Sequence, residues 1–502
     1  MSEVPQHDDQ HHETRKDVAV SMRNALKLGG SLILTLGIGF GVRIALRRHL
    51  GPAVMGPINF ADAFATVAFA FVGLGIDTYI RKVVPVTLDA ANEFLGTIFA
   101  ARAVLTGVAF VAMYGVLEWM GQPPDVRLLV WVTGAAQCAI TFNLTFVALL
   151  QSARTIDGLS TINVISKLLW AAGFVATIVF DLPIVGIPLS VFVAETLKLV
   201  VGYFLARKHL KLKLAIDWKQ LKPVLRSSFP FYMNAVALVI VNRFDVNVLK
   251  VRADDTEIGL YSAASELAQM TFVLTPMIGG VVMPLFARAQ ARGQAEYQAM
   301  VRRTIELVLT LAFPASLFIA AGADVWVHVL LGQQYAASAL ALSILAPSFL
   351  LTYVATVTAV ALNLSGGEWT VTVTSLLSVF VNPLLVMVLV TFGKTWGTGG
   401  AGAACALAQV GTELFVVSVM FYRIGKAAAD RRLVSMVIKS ALACVIVMVL
   451  DRVVLASFGA ARLIIDALIY VGLVIGTRAL SIKETLGFVK QVRAQRAAAA
   501  AS

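Results

Sequence analysis

Several charged residues lie inside or at the edge of long apolar segments, where charges are rare. Arg243 and Asp245 interrupt one such segment, and Arg102 and Arg43 interrupt two others. A charge inside a membrane costs about 2.5–3.5 kcal/mol, so such residues are functional candidates by default. Arginine binds carboxylates and phosphates through paired hydrogen bonds. An excess of arginine here favours an anionic ligand such as a diphosphate, although Arg43 could instead reach a membrane interface.

Polar residues recur at helical spacing in several of the same segments. Each set lies on one helix face, because residues three, four or seven positions apart are neighbours on a helix. The sets are Asn59, Asp62 and Thr66; Ser262, Glu266 and Gln269; and Gln137 with Thr133 and Thr141. Polar groups are costly in lipid unless they are paired or wetted, so these faces are predicted to line a shared cavity. Hydrogen bonds between neighbouring helices are the alternative explanation for any one set.

The motifs of soluble enzymes are absent or misplaced. The run Gly397–Gly402 has GxGxxG spacing, but it lies between two apolar segments and lacks the strand and helix of a dinucleotide site. The sequence has no HExxH motif and no CxxC pair, and Cys138, Cys405 and Cys444 lie in apolar runs. We therefore expect no metal, no cofactor and no enzymatic activity.

The composition places most of the chain in a membrane. Hydrophobic residues make up 59% of the 502 residues, charged residues 14%, and the mean hydropathy is +0.83. Soluble proteins average about 45–50% apolar and about 25% charged residues, so a soluble protein is excluded. Apolar segments long enough to cross a bilayer predict an all-α polytopic membrane protein with about 14 transmembrane helices. These segments are 28–46, 58–80, 95–117, 128–150, 160–180, 184–205, 229–250, 262–285, 304–322, 337–363, 369–391, 399–422, 434–453 and 462–478.

Positive charge is distributed unevenly along the loops. Most of the 41 lysines and arginines lie in the two tails and in the loops that follow the even-numbered segments. Cytoplasmic loops carry the excess of positive charge in membrane proteins, so both termini are predicted to be cytoplasmic. This distribution explains the pI of about 9.7 without a nucleic-acid partner.

The two halves of the apolar region resemble each other. At one constant offset, Gly56 aligns with Gly259 and Ala61 with Ala264. In both halves, a basic residue is followed by an apolar run, a loop and then this glycine. Parallel repeats of this kind occur in transporters with a binding site at the repeat interface. The sequence therefore predicts two pseudo-symmetric six-helix lobes. The predicted parts are a disordered cytoplasmic tail (1–27), an N-lobe (28–205), an amphipathic cytoplasmic linker (206–228), a C-lobe (229–422), two accessory helices (423–478) and a basic cytoplasmic tail (479–502).

Several motifs resemble those of bacterial polysaccharide flippases, the Wzx-type members of the MOP superfamily. His49–Gly56 (HLGPAVMG) and Gly73–Asp77 (GLGID) resemble their first hairpin. Arg243–Asp245 (RFD) and Ile258–Ala264 (IGLYSAA) resemble the start of their second half, and Gly332–Ala337 (GQQYAA) resembles the stretch before their tenth helix. The resemblance covers nearly the whole chain.

The resemblance implies two lobes around a central cavity, a MATE-like architecture and alternating access. It implies a flippase that moves undecaprenyl-diphosphate-linked oligosaccharide to the periplasmic leaflet of the inner membrane, in exopolysaccharide or lipopolysaccharide biosynthesis. The implied partners are that lipid-linked substrate, membrane lipids, a polysaccharide polymerase and a chain-length regulator. By position, it favours Arg243 and Asp245 as cavity residues, followed by Arg102 and Arg43. The last two helices would guide the lipid tail.

Three other functions remain open from the sequence. They are a MATE-like cation-coupled exporter of small molecules, a lipid II flippase, and a membrane glycosyltransferase or polymerase. The excess of cations argues against the exporter. A glycosyltransferase would need a sizeable periplasmic loop with paired carboxylates, whereas Asp254 and Asp255 lie in a short loop.

Overall fold

A computed structural model describes residues 7–83, 90–152, 156–210, 216–425 and 430–477, and every element in these ranges is helical. The predicted all-α class is confirmed. The α-helices are α1 (His7–Ala70), α2 (Ile76–Val83), α3 (Ala90–Trp119), α4 (Pro124–Ser152), α5 (Ile156–Val179), α6 (Gly186–Leu210), α7 (Leu221–Arg252), α8 (Asp255–Gln269), α9 (Thr275–Arg292), α10 (Gln294–Ala321), α11 (Ala323–Leu331), α12 (Ser338–Leu364), α13 (Glu368–Gly393), α14 (Gly400–Ile424), α15 (Arg431–Leu450) and α16 (Arg462–Gly476).

Eleven helical stretches in the described ranges are long and apolar enough to cross a membrane. Two of them exceed one crossing, because Leu34–Ala70 has 37 residues and Arg431–Gly476 has 46, whereas about 20 span the hydrocarbon. The first is broken at Gly51, where φ is 75°, and the second contains the π-helical segment Asp451–Leu455. The chain is a multi-pass membrane protein, as predicted, and the number fourteen stays a prediction.

The N-terminal region is part of the first helix, and the tail predicted for residues 1–27 stays a prediction. Helix α1 begins at His7, so the backbone of residues 7–27 is helical. No glycine or proline interrupts this stretch, and extending an existing helix avoids the cost of nucleating a new one. In the predicted linker, α6 continues to Leu210 and α7 begins at Leu221. The middle of the linker (211–215) and the C-terminal tail (479–502) lie outside the described residues.

The chain divides into two compact units. The first contains residues 1–49 and 57–247, and the second contains 50–56 and 248–502. In the first unit, α4 packs against α6, and α6 packs against α5. In the second unit, α12 and α13 both pack against α14, and α10 packs against α12. Most of α7 belongs to the first unit, and the lobe boundaries drawn from the sequence stay predictions.

Two glycines of the sequence repeat meet within the second unit. A Cβ atom on Gly56 would lie 2.0 Å from the carbonyl oxygen of Asp255, and one on Gly259 would lie 2.0 Å from the carbonyl oxygen of Pro52. The offset that relates Gly56 to Gly259 also relates Pro52 to Asp255. The contact is therefore reciprocal, and it brings two backbones together where only glycine fits.

Candidate functional site

A polar cluster in the first unit joins three helices. Arg243 of α7 lies with Nη1 3.5 Å from Oδ2 of Asp62 on α1. Gln137 of α4 donates from Nε2 to the hydroxyl of Thr66 at 2.8 Å and to Oδ1 of Asp62 at 3.5 Å. The structure thus brings together residues from three of the predicted sets.

This cluster is accessible although its residues lie in membrane-crossing helices. The side chain of Arg243 is 39% exposed and that of Asp62 is 46% exposed. An exposed ion pair facing hydrocarbon would be very costly, so its open side must face water or a polar ligand. Among the described residues, the buried Nδ2 of Asn59 on the same face of α1 has no hydrogen-bond partner, which leaves a donor available.

Arg43 lies in a second charged cluster of the first unit. It acts electrostatically on Lys167 of α5, as do Glu195 and Lys198 of α6. Oε2 of Glu195 accepts a 2.8 Å hydrogen bond from Nδ2 of Asn143 and lies 3.7 Å from Nζ of Lys198. Of the three groups that act on Lys167, Arg43 and Lys198 are cations and Glu195 is an anion. Arg43 is the one member of this cluster that the sequence indicated.

Arg102 is completely buried and does not join Arg243. Its guanidinium donates to the carbonyl oxygen of Thr141 at 3.1 Å, to the carbonyl oxygen of Gly73 and to the hydroxyl of Thr145. It also lies 3.4 Å from Oδ1 of Asp77, which accepts a 3.0 Å hydrogen bond from Thr145. The structure therefore places Arg102 in a buried network that ties α3 to α4 and to the loop before α2.

Asp245 also lies away from the exposed cluster. It is buried, and its Oδ1 accepts a 2.7 Å hydrogen bond from its neighbour's backbone N–H, that of Val246. Two residues on a helix are about 200° apart in direction, so Arg243 and Asp245 cannot face the same space. A role for Asp245 in substrate contact stays a prediction.

The polar face of α8 belongs to the second unit. Ser262, Glu266 and Gln269 are all half-buried, and Nε2 of Gln269 donates to the hydroxyl of Ser265 at 3.1 Å. Their predicted role in lining a cavity stays a prediction.

A second polar row in this unit was not predicted. Nδ2 of Asn382 on α13 donates to Oε1 of Gln409 at 3.1 Å and to Thr412 at 3.4 Å, and Gln409 reaches Glu413 at 3.5 Å. The i, i+4 spacing of Gln409 and Glu413 was visible in the sequence, but their partner on α13 was not.

The second unit contains a large apolar crevice. Its volume is about 730 Å³, and α10, α12, α14 and α15 line it with side chains such as Phe313, Leu350, Leu414 and Met448. Arg452, just beyond α15, is the charged residue in its lining. The crevice therefore suits a long hydrocarbon chain with an anionic group at one end.

Solved structures define the class of fold. A lipid II flippase MurJ in an inward closed conformation aligns with a TM-score of 0.60 and 13% identity, over 89% of this chain and 98% of that chain. An inward-facing multidrug resistance MATE family transporter of the MOP superfamily aligns with a TM-score of 0.59 and 14% identity, over 80% and 98%. An outward-facing MATE transporter aligns with a TM-score of 0.53 and 15% identity, over 81% and 96%. The chain has the same fold as these solved structures.

The sequence itself defines the family. The family model described as polysaccharide biosynthesis protein matches residues 21–290, which is more than half of the chain. A search among curated proteins gave no match. The chain belongs to the polysaccharide biosynthesis protein family, and the predicted resemblance is confirmed.

Proposed function

We propose that this protein flips undecaprenyl-diphosphate-linked oligosaccharide repeat units across the inner membrane by alternating access, for cell-surface polysaccharide biosynthesis. The observation that carries the proposal is the half-exposed Arg243 beside Asp62, Gln137 and Thr66 inside membrane-crossing helices. A guanidinium matches the oxygens of a diphosphate, and amide and hydroxyl groups match the hydroxyls of sugars.

The ion pair at Arg243 is loose enough to exchange partners. Its atoms are separated by 3.5 Å, and both side chains are well exposed. Exposed ion pairs contribute only about 0–1 kcal/mol, so a diphosphate with two negative groups would compete effectively with the single carboxylate of Asp62.

The cluster of Arg43, Lys167 and Lys198 supports the same class of substrate. Arg43 and Lys198 both act on Lys167 there, beside the carboxylate of Glu195. A surplus of positive charge attracts anionic headgroups and disfavours cationic drugs. This argues for a lipid diphosphate over the cationic substrates of many exporters.

The apolar crevice supports a lipid-linked substrate. We propose that it holds part of the isoprenoid chain, since its lining is mostly apolar and includes the one cation Arg452. The chain would leave an equally apolar bilayer to enter the crevice, so packing against the lining, rather than hydrophobic free energy, would retain it.

The proposed setting follows from this substrate. Both termini would be cytoplasmic, and membrane lipids would surround the protein. A polysaccharide polymerase and a chain-length regulator would receive the flipped units. The protein would carry out no covalent chemistry, and no cofactor enters the proposal.

The test is replacement of Arg243. A charge-assisted hydrogen bond contributes about 1.5–3 kcal/mol, so Arg243→Ala should lower the flipping of lipid-linked repeat units roughly 10- to 100-fold. Arg243→Lys should keep part of the activity, because the charge remains. The measurement is the accessibility of labelled lipid-linked oligosaccharide in proteoliposomes.

The matched control is Arg292→Ala, which removes an exposed arginine paired with Glu296 at 2.7 Å. It should leave flipping unchanged. Full polymer export by the Arg243→Ala variant in a deletion strain would remove Arg243 from the site.

The exporter of small molecules is the second candidate, because the chain shares its fold with MATE transporters. Deletion of the gene distinguishes the two functions. Repeat units trapped on the cytoplasmic leaflet support the flippase, whereas normal polymer and increased sensitivity to cationic drugs support the exporter.

A further inference from the structure

The connection between the last two helices contains an irregular segment. Helix α15 ends at Leu450, a π-helical segment runs from Asp451 to Leu455, and α16 begins at Arg462. Helices of the π type are rare and often occur at functional sites. Asp451 is buried where the segment begins, so the irregular backbone positions a carboxylate inside the second unit.

Arg462 is the cation of this region. Its Nη2 forms an ion pair with Asp324 and donates to the carbonyl oxygen of Ala321 at 3.3 Å. Its Nε lies 3.1 Å from Oδ1 of Asp451. Asp324 is 58% exposed, so water solvates it, whereas Asp451 is 4% exposed.

Asp466 is a second buried carboxylate beside the first. It is 3% exposed, and in the described ranges neither of its oxygens has a hydrogen-bond partner. It lies one helical turn from Arg462 and one turn from Tyr470, on the same face of α16. Asp466 and Tyr470 line a small cavity of about 70 Å³ whose other walls are apolar.

Asp466 lies one helical turn from Arg462, and Arg462 contacts Asp451, so the two buried carboxylates flank one guanidinium. Ionised carboxylates only accept hydrogen bonds, so two ionised groups cannot satisfy each other. Their charges also repel, and a buried unpaired charge is very costly. Arg462 balances the negative charge of one carboxylate and leaves the charge of the other unbalanced.

We propose that Asp451 and Asp466 form a proton-binding site, in which one shared proton bridges the two carboxylates. The proton gives the pair one donor and one net negative charge, which Arg462 balances. Of two buried carboxylates beside a single cation, one is expected to stay protonated, as in other carboxyl pairs that share a proton. The inference does not depend on which substrate the protein moves.

A bare metal cation fits the site less well than a proton. Na⁺ requires several oxygen ligands, but α10 lines the cavity with Pro314, Leu317, Phe318 and Ala321. The charged and titratable groups around the pair are Arg462 and Tyr470 on α16, Asp324 at the start of α11, and Cys444 on α15, which acts on Tyr470.

The test is infrared difference spectroscopy of the purified full-length protein in lipid nanodiscs. At neutral pH, the wild type should show the C=O stretch of a protonated carboxyl group. In the spectrum of wild type minus variant, both Asp451→Asn and Asp466→Asn should show the loss of one such band, because the remaining carboxylate then ionises beside Arg462. Any band from Glu413 cancels in the subtraction. Asp125→Asn, which changes an exposed aspartate at the start of α4, should leave the band unchanged.

A third variant tests the role of Arg462. In Arg462→Gln the balancing charge is gone, so the second carboxyl should also take a proton and the signal should roughly double, on the reasoning that buried charges neutralise when unpaired. If this variant does not fold, the two asparagine variants still decide the question.

Two results would overturn the proposal. One is a spectrum of wild type minus either asparagine variant that shows no lost band, since a shared proton needs both carboxylates. The other is a wild type that lacks the signal and whose melting temperature rises with added NaCl but not with choline chloride. In that case Asp466→Asn should remove the effect of NaCl. That result would assign the site to Na⁺.

Discussion

At the scale of single residues, the first unit uses arginine in two different ways. Arg243 is partly exposed and holds a loose ion pair, whereas Arg102 has no exposed surface and several hydrogen bonds to backbone and side-chain oxygens. A loosely paired guanidinium is available for a ligand. A buried one whose two Nη atoms are hydrogen-bonded acts as a connection between helices, and its replacement should affect folding before it affects transport.

Arg102→Leu tests this assignment. It removes the ion-pair partner of Asp77 and the hydrogen bonds to oxygen atoms of Gly73, Thr141 and Thr145, and breaking a buried pair costs about 3–5 kcal/mol. We expect loss of monodisperse protein in detergent, measured by fluorescence-detected size-exclusion chromatography. Arg252→Leu, which changes an exposed arginine at the end of α7, should behave like the wild type. If Arg102→Leu folds normally and loses only transport, Arg102 contacts the substrate, as the sequence suggested.

At the scale of helices, the glycine-rich run that resembles a dinucleotide motif has a structural role. The backbone N–H groups of Gly399 and Gly402 donate to the two carboxylate oxygens of Glu257, at 2.5 and 3.0 Å. Gly399 precedes α14 and has no side chain to cap it. A carboxylate at the start of a helix satisfies free N–H groups and interacts favourably with the helix dipole. Glu257 of α8 therefore caps α14.

Removal of this cap should lower stability by a modest amount. Glu257→Ala is expected to reduce the free energy of unfolding by about 0.5–2 kcal/mol, the usual cost of losing a cap. Glu257→Gln should recover part of it, because the amide oxygen still accepts a hydrogen bond. Thermal melting in detergent measures the effect, with Glu118→Ala, at an exposed ion pair, as the control. Equal melting of wild type and Glu257→Ala would contradict the assignment.

The reciprocal glycine contact gives a second prediction for helix packing. Gly259→Ala places a methyl group against the backbone at Pro52, which cannot move as a flexible side chain would. Overpacking of this kind costs about 1–3 kcal/mol. Gly107→Ala is the matched control, since a Cβ there meets nothing within 4 Å. Thermal melting should be lowered by the first change only, and an unaffected Gly259→Ala protein would mean that the two backbones are free to separate.

At the scale of the whole molecule, the sequence predicted the polar faces of single helices better than it predicted which helices pack together. Composition and apolar segment length were sufficient for the all-α membrane class, and helical spacing placed Asp62 and Thr66 on one face, where both meet Gln137. The partners of Arg102 and Asp466 were not predictable, because periodicity says which way a side chain points on its helix but not which helix packs against it. The number of membrane crossings stays a prediction for a related reason, because helix breaks such as the one at Gly51 depend on packing.

Leu50–Gly56 belongs to the second unit, whereas the chain on both sides of it belongs to the first. This matters if the gene is divided so that the protein is made as two polypeptides. If the chain were divided between α6 and α7, the C-terminal polypeptide would lack the segment Leu50–Gly56, which packs within the second unit. The backbone around Gly259 would then be uncovered until the other polypeptide supplied that piece. Two such fragments should assemble when they are synthesised together in one cell, and poorly when each is purified and then mixed.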